Sequence, residues 1–131
     1  MLFCVVLYDL LFYLSHRLLH TQWLFQHVHY LHHSSYLSMG ITQSYAHPVE
    51  FWVTATAATV PVLLVTRHSL VWALWMVMLN VESIIAHCGY YLPGLPDSRF
   101  HYLHHCPRGF KSNFGSFLCI WDHVFGTYKD Y

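Results

Sequence analysis

Two apolar stretches, Val49 to Thr66 and Leu70 to Ala86, are separated only by Arg67-His68-Ser69. Each is about 17 to 18 residues long, the short end of what crosses the hydrocarbon core of a bilayer. Helices joined by so short a polar tip must run antiparallel, so the pair predicts a membrane hairpin. Pro48 belongs in the first turn of its first helix, where a missing N–H costs nothing. A third apolar stretch, Met1 to Leu14, is interrupted by Asp9 alone and continues into Ser15-His16-Arg17-Leu18-Leu19-His20. It lacks the basic start and small-residue cleavage site of a signal peptide and predicts one helix of more than twenty residues. Pro93-Gly94-Leu95-Pro96-Asp97 is the clearest breaker between the hairpin and the tail. The expected fold is an all-α, integral membrane helical bundle.

Composition narrows the class further. The 131 residues are 56% hydrophobic and 9% charged, with six basic and six acidic side chains. That is far too few charges for a soluble globular chain, and the hydrophobicity argues against disorder. No basic run is available to neutralise phosphates, which excludes a nucleic-acid binder of that kind. Cys4, Cys88, Cys106 and Cys119 form no CxxC pair and read as packing residues.

Against this background stand 13 histidines. His16 and His20 form an HxxxH on the first helix, and a spacing of four advances about 400°, so both rings face one way. His29-Tyr30-Leu31-His32-His33 and His101-Tyr102-Leu103-His104-His105 are the same pentapeptide, an HxxHH, some seventy residues apart. In each, the first imidazole shares a face with the other two and can serve adjacent metals. An even number of crossings puts His47 and His87, at the two ends of the hairpin, on one side of the membrane. The three motifs share that side, and only His68 falls opposite. Eight motif histidines exceed the four ligands of a structural zinc site and suit two metals. Imidazole accepts Zn, Cu, Fe or Ni, so ligand type does not choose among them. A redox metal beside lipid points to O2 chemistry on an apolar substrate. Asp9, near the face of His16, is placed to take the second ring N–H of a ligand histidine. His27 and His123 read as structural.

The order HRLLH, HYLHH, HYLHH, closed by Ile120-Trp121-Asp122-His123-Val124-Phe125-Gly126-Thr127, resembles the fatty acid hydroxylase/sterol desaturase superfamily of membrane di-iron enzymes. Tyr45-Ala46-His47-Pro48-Val49-Glu50 and His87-Cys88-Gly89-Tyr90 with Leu92-Pro93 are similar to its sterol branch, which includes C4-methylsterol oxidases and cholesterol 25-hydroxylase. The resemblance implies iron ligands at His16, His20, His29, His32, His33, His87, His101, His104 and His105. Tyr91 stands where some relatives carry a further histidine, and His47 is the candidate to replace it. Glu82, Asn113 and Asp122 match positions expected to hydrogen-bond ligands. The resemblance further implies two non-haem irons, O2, and a lipid substrate, a sterol foremost. Electrons would come from NAD(P)H through an external cytochrome b5-type donor.

By the same resemblance, residues 1–131 form a single catalytic domain that lacks amino-terminal membrane helices found in relatives. It would sit in the endoplasmic reticulum if eukaryotic. The positive-inside tendency places Arg99, Arg108, Lys111 and Lys129, and hence the site, on the cytosolic side. Two alternatives remain beside an oxygenase. One is a silent or truncated relative with a structural role, and the other a histidine-rich membrane metal carrier.

Overall fold

A computed structural model describes residues 1–34, 39–91, 93–95 and 97–130. Among these no strand occurs; the elements are helices throughout. Three are long and apolar enough to cross a membrane: α1 (Leu2–Leu19), α4 (Pro48–Val65) and α5 (Ser69–Ala86). Between α1 and α4 the chain forms α2 (Gln22–Leu24), a π-helical segment (Phe25–His29), α3 (Tyr30–His33) and a 3-10 turn (Gly40–Ser44). After the hairpin come α6 (Ser98–His105) and α7 (Ile120–Val124).

The hairpin forms as expected, with Pro48 in the first turn of α4 and Thr66 to His68 at its tip. Trp75 on α5 donates its indole N–H to the Ala58 carbonyl of α4 at 2.8 Å. This bond lies near Pro61, whose ring supplies no N–H and so leaves the helix ladder one bond short. Helix α1 packs on the pair through Cys4 and Tyr8, which join Val62, Trp75 and Leu79 in one buried cluster. The Tyr8 and Trp75 rings meet edge to face with centroids 6.0 Å apart. The outer faces keep Leu2, Phe3, Trp52, Leu64 and Leu74 exposed, as lipid-facing surfaces do.

Helix α1 is shorter than expected. It spans 18 residues, and His20 is its C-cap, because Thr21 turns extended (φ −66°, ψ 148°) to start α2. The His20 N–H still bonds the His16 carbonyl, so the two rings keep the geometry of a helical turn. Of the expected breaker, Pro93 to Leu95 and Asp97 are described; Pro96 and Leu92 lie outside the described residues. Asp97 caps α6 by accepting the Arg99 N–H at 3.0 Å.

The tail is tied back to α1. Tyr13 and Thr127 share a 3.0 Å hydroxyl contact, and Asp9 accepts the N–H groups of Phe117 and Leu118 at 2.8 and 3.0 Å. Those long-range bonds lay residues 112–118 across the end of the bundle, above the histidines.

Candidate metal centre

Nine histidines converge where α1, α3, α5 and α6 meet. They form two groups: His16, His20, His29, His33 and His104 in one, and His32, His87, His101 and His105 in the other. Within each group, one nitrogen per ring lies within 4.8 Å of the others. The two HxxHH motifs cross over. Each gives its first and last histidine to one group and its middle one to the other. Local geometry explains this, since a spacing of four stacks two rings on one face while the intervening ring turns aside.

The Nε2 atoms point inward. His20 to His29 is 3.0 Å, His29 to His33 is 3.1 Å, His87 to His101 is 3.0 Å, and His101 to His105 is 3.1 Å. The His32–His87 pair is 3.3 Å. Nitrogens each about 2.0–2.1 Å from a common cation would stand roughly 2.9–3.4 Å apart. Outer ring nitrogens set the tautomers. His16 Nδ1 donates to the Phe114 carbonyl at 2.9 Å, His104 Nδ1 to Ser112 at 2.7 Å, and His87 Nδ1 to Ser83 at 2.8 Å. A neutral ring that donates from Nδ1 carries only a lone pair on Nε2. His16 Nε2 and His104 Nε2 are buried without a partner. Buried lone pairs aimed at one another are unfavourable unless a cation lies between them, so these residues fit two metal ions.

Burial, and then the neighbouring rings, push the imidazoles of His32, His101 and His104 well below the ordinary histidine range. The same causes lower His29 and His33. His105 falls to about 3 and His20 to about 2, again chiefly through desolvation. The groups are therefore neutral imidazole, the form that ligates metal. Phe25, Phe110 and Phe114 pack their rings around His20 and His33, closing that side to water.

His47 joins neither group. It is the N-cap of α4, its Nδ1 accepting the Val49 N–H at 3.2 Å. His27 stacks on Trp23, His123 stacks on Tyr128, and His68 is the N-cap of α5 at the hairpin tip.

Of the four polar residues expected beside the histidines, Asp9, Asn113 and Asp122 bond main-chain groups and Glu82 a serine hydroxyl, rather than imidazoles. Asp122 accepts the N–H groups of Phe114 and Gly115 at 2.9 and 2.8 Å and the Thr127 hydroxyl at 2.6 Å. A Cβ on Gly115 would stand 2.8 Å from that carboxylate, so the approach depends on glycine. Asn113 sits at φ 58° and bonds the main chain of Phe100 and Lys129. Together with Asp9 they fix the segment whose Ser112 and Phe114 carbonyls orient His104 and His16. Glu82 accepts the Ser116 hydroxyl at 3.0 and 3.1 Å. An acid not anticipated is Glu50, whose Oε1 lies 2.9 Å from His29 Nδ1. The sequence signal was an acid opening an otherwise apolar span, within the block already set apart at Tyr45 to Glu50.

A cavity of about 330 Å³ leads from the histidines down between the three membrane helices. Phe12, Phe51, Ala58, Met76 and Leu79 make its walls apolar, and His16, His29, His32, His87 and His101 close its end.

The profile of the fatty acid hydroxylase family matches residues 1–127. Very-long-chain aldehyde decarbonylase GL1-11 of Oryza sativa is 41% identical over 139 residues, covering 99% of this chain and 52% of that protein. Methylsterol monooxygenase 2-2 of Arabidopsis thaliana is 38% identical over 139 residues, with the same coverage of 99% and 52%. Methylsterol monooxygenase 1 of Rattus norvegicus is 34% identical over 137 residues, covering 98% of this chain and 46% of that protein. The chain thus spans about half the length of the curated relatives it matches. No solved structure matches it.

Proposed function

Because the chain belongs to the fatty acid hydroxylase family, we propose that it is the catalytic core of a membrane oxidoreductase that uses O2 and two non-haem irons to hydroxylate or desaturate a lipid. The observation that carries this reading is the pair of imidazole groups with inward Nε2 lone pairs at the closed end of an apolar cavity. His16, His20, His29, His33 and His104 would hold one iron, and His32, His87, His101 and His105 the other. Bound there, the irons supply the activation of O2 needed to attack an unactivated C–H bond.

The chain's own residues prepare that reaction. Phe12, Phe51, Met76 and Leu79 accept an apolar substrate lengthwise from the bilayer and present one end of it to the histidines. Apolar walls and the aromatic rings beyond His20 and His33 exclude water, which protects a reactive centre from wasteful side reactions. The carbonyls of Ser83, Ser112 and Phe114 hold three rings in the ligating tautomer, so little reorganisation is needed when metal enters. The substrate we favour is a sterol, on the block around His47 and on the methylsterol monooxygenase relatives. Electrons would arrive from NAD(P)H through a cytochrome b5-type donor. The centre would face the cytosol, in the endoplasmic reticulum of a eukaryote.

Expression with a cytochrome b5 system, followed by mass spectrometry of sterols, fatty acids and very-long-chain aldehydes, tests the reading. A new hydroxyl or double bond in one class, with two irons per chain, is the expected result. A chain that binds no metal would refute it.

A further inference from the structure

Glu50 occupies an improbable place. It stands in the first turn of a membrane helix, 4% exposed, with Val49, Phe51 and Trp52 around it in sequence. Burying a carboxylate there is costly unless something compensates. Its Oε1 lies 2.9 Å from Nδ1 of His29, itself 1% exposed, a close contact rather than an aligned hydrogen bond, and both that Nδ1 and the Glu50 Oε2 are buried without a hydrogen-bond partner. Contact with His29 is therefore what occupies this side chain. A cation held by the imidazole group that includes His29 would supply the compensating positive charge.

The setting of His29 explains why a side chain is needed. The outer nitrogens of His16, His87 and His104 meet main-chain carbonyls. The carbonyl that serves His87 belongs to its own helix, and those serving His16 and His104 belong to the segment tied down by Asp122 and Asn113. His29 closes the π-helical segment Phe25–His29, where the turn is widened and ring orientation is less determined by the helix itself. Its outer nitrogen is met by a carboxylate from another element, α4.

We propose that Glu50 is a positioning residue of the metal centre. With the centre loaded, its carboxylate would take the His29 Nδ1–H, which the 2.9 Å contact puts within reach, and so present Nε2 as a lone pair to the five-imidazole group. The inference rests on that group binding metal, as proposed above. Losing the outer partner of a ligand histidine typically weakens metal binding 10- to 100-fold. A leucine removes the acceptor, whereas a glutamine keeps an acceptor oxygen without the charge.

The test is titration of the full chain in detergent with Zn²⁺ alone, following affinity and stoichiometry for wild type, Glu50→Leu and Glu50→Gln. Wild type should bind two ions. Glu50→Leu should bind one with wild-type affinity and the other about 10- to 100-fold more weakly, and Glu50→Gln should recover most of that loss. Nitrogen-15 NMR of His29 should show a protonated Nδ1 in wild type and Glu50→Gln. If Glu50→Leu does not fold, a spectrum of the metal-free wild type with His29 Nδ1 unprotonated overturns the assignment. Two ions bound to Glu50→Leu with unchanged affinities would overturn it equally. A wild type that binds none would instead refute the metal centre itself.

Discussion

The two His-Tyr-Leu-His-His segments are identical in sequence and differ in almost everything around them. Residues 101–105 end a regular helix opened by the Asp97 cap, and the outer nitrogen of His104 meets the Ser112 carbonyl. Residues 29–33 begin in a π-helical turn, and the outer nitrogen of His29 meets the Glu50 carboxylate. Yet both project their rings alike, the first and last into one group and the middle one into the other. Inward geometry follows from the spacing alone, whereas outward support is improvised from whatever the fold brings near. Changes inside the motif should therefore act on metal count, and changes outside it on stability or affinity.

The largest effect should come from removing motif histidines. Because His32 and His33 serve different groups, the double variant His32→Ala/His33→Ala takes a ligand from each. If the proposed centre is right, the variant should bind neither metal ion. His101→Ala/His105→Ala takes two ligands from a single group and should leave one ion per chain. Metal analysis of the purified variants separates the outcomes. Equal losses from the two doubles would break the cross-over arrangement.

Next in size is Asp122, which supports the layer from outside. Its carboxyl oxygens take two buried main-chain N–H groups and the Thr127 hydroxyl, and it is fully buried. Asp122→Ala leaves those donors unpaired and should cost about 3 kcal/mol, measured by thermal unfolding in detergent. Metal affinity should fall as well, because the Phe114 carbonyl that orients His16 lies in the released segment.

What could be read from sequence divides along the same line. The hairpin was legible because its tip is short and its spans are apolar, and the imidazole clusters were legible because spacings of three and four fix faces on any helix. The outer partners were not. Asp122 and Asn113 occupy supporting positions, but the loop through which they act, residues 112–118, has no periodicity to place it. Glu50 was concealed by distance: 21 positions separate it from His29 in the chain, and only the packing of α4 on the π-helical segment joins them. The early end of α1 at Leu19 was hidden for a related reason, since nothing in Leu18-Leu19-His20-Thr21 forbids another turn.

A gentler perturbation is acid. Burial holds His105 at about 3 and His20 at about 2, whereas both rings titrate near 6.5 once unfolded. Below pH 6.5 the unfolded chain takes up protons that the folded one refuses, so stability declines as pH falls from about 6.5 toward 3. Toward pH 8 neither state is appreciably protonated at these rings, and stability should level off. Unfolding of the metal-free chain across pH 8 to 5 measures this. A stability that rises on acidification would show that the rings are charged in the fold.

The smallest effect tests a histidine outside both groups. His47 accepts the Val49 N–H through Nδ1 and starts α4 ahead of Pro48. His47→Ala should lose that cap, worth about 0.5–1 kcal/mol, while both metals stay bound. His47→Asn should restore the stability, because a short side-chain oxygen caps the same N–H. Its neighbour Glu50 lies three residues further along α4, so a cap that merely frays would move the carboxylate by less than a helical turn. A full loss of one ion in His47→Ala, not rescued by asparagine, would mean that His47 reaches the centre, and the line between ligands and supports would have to be redrawn there.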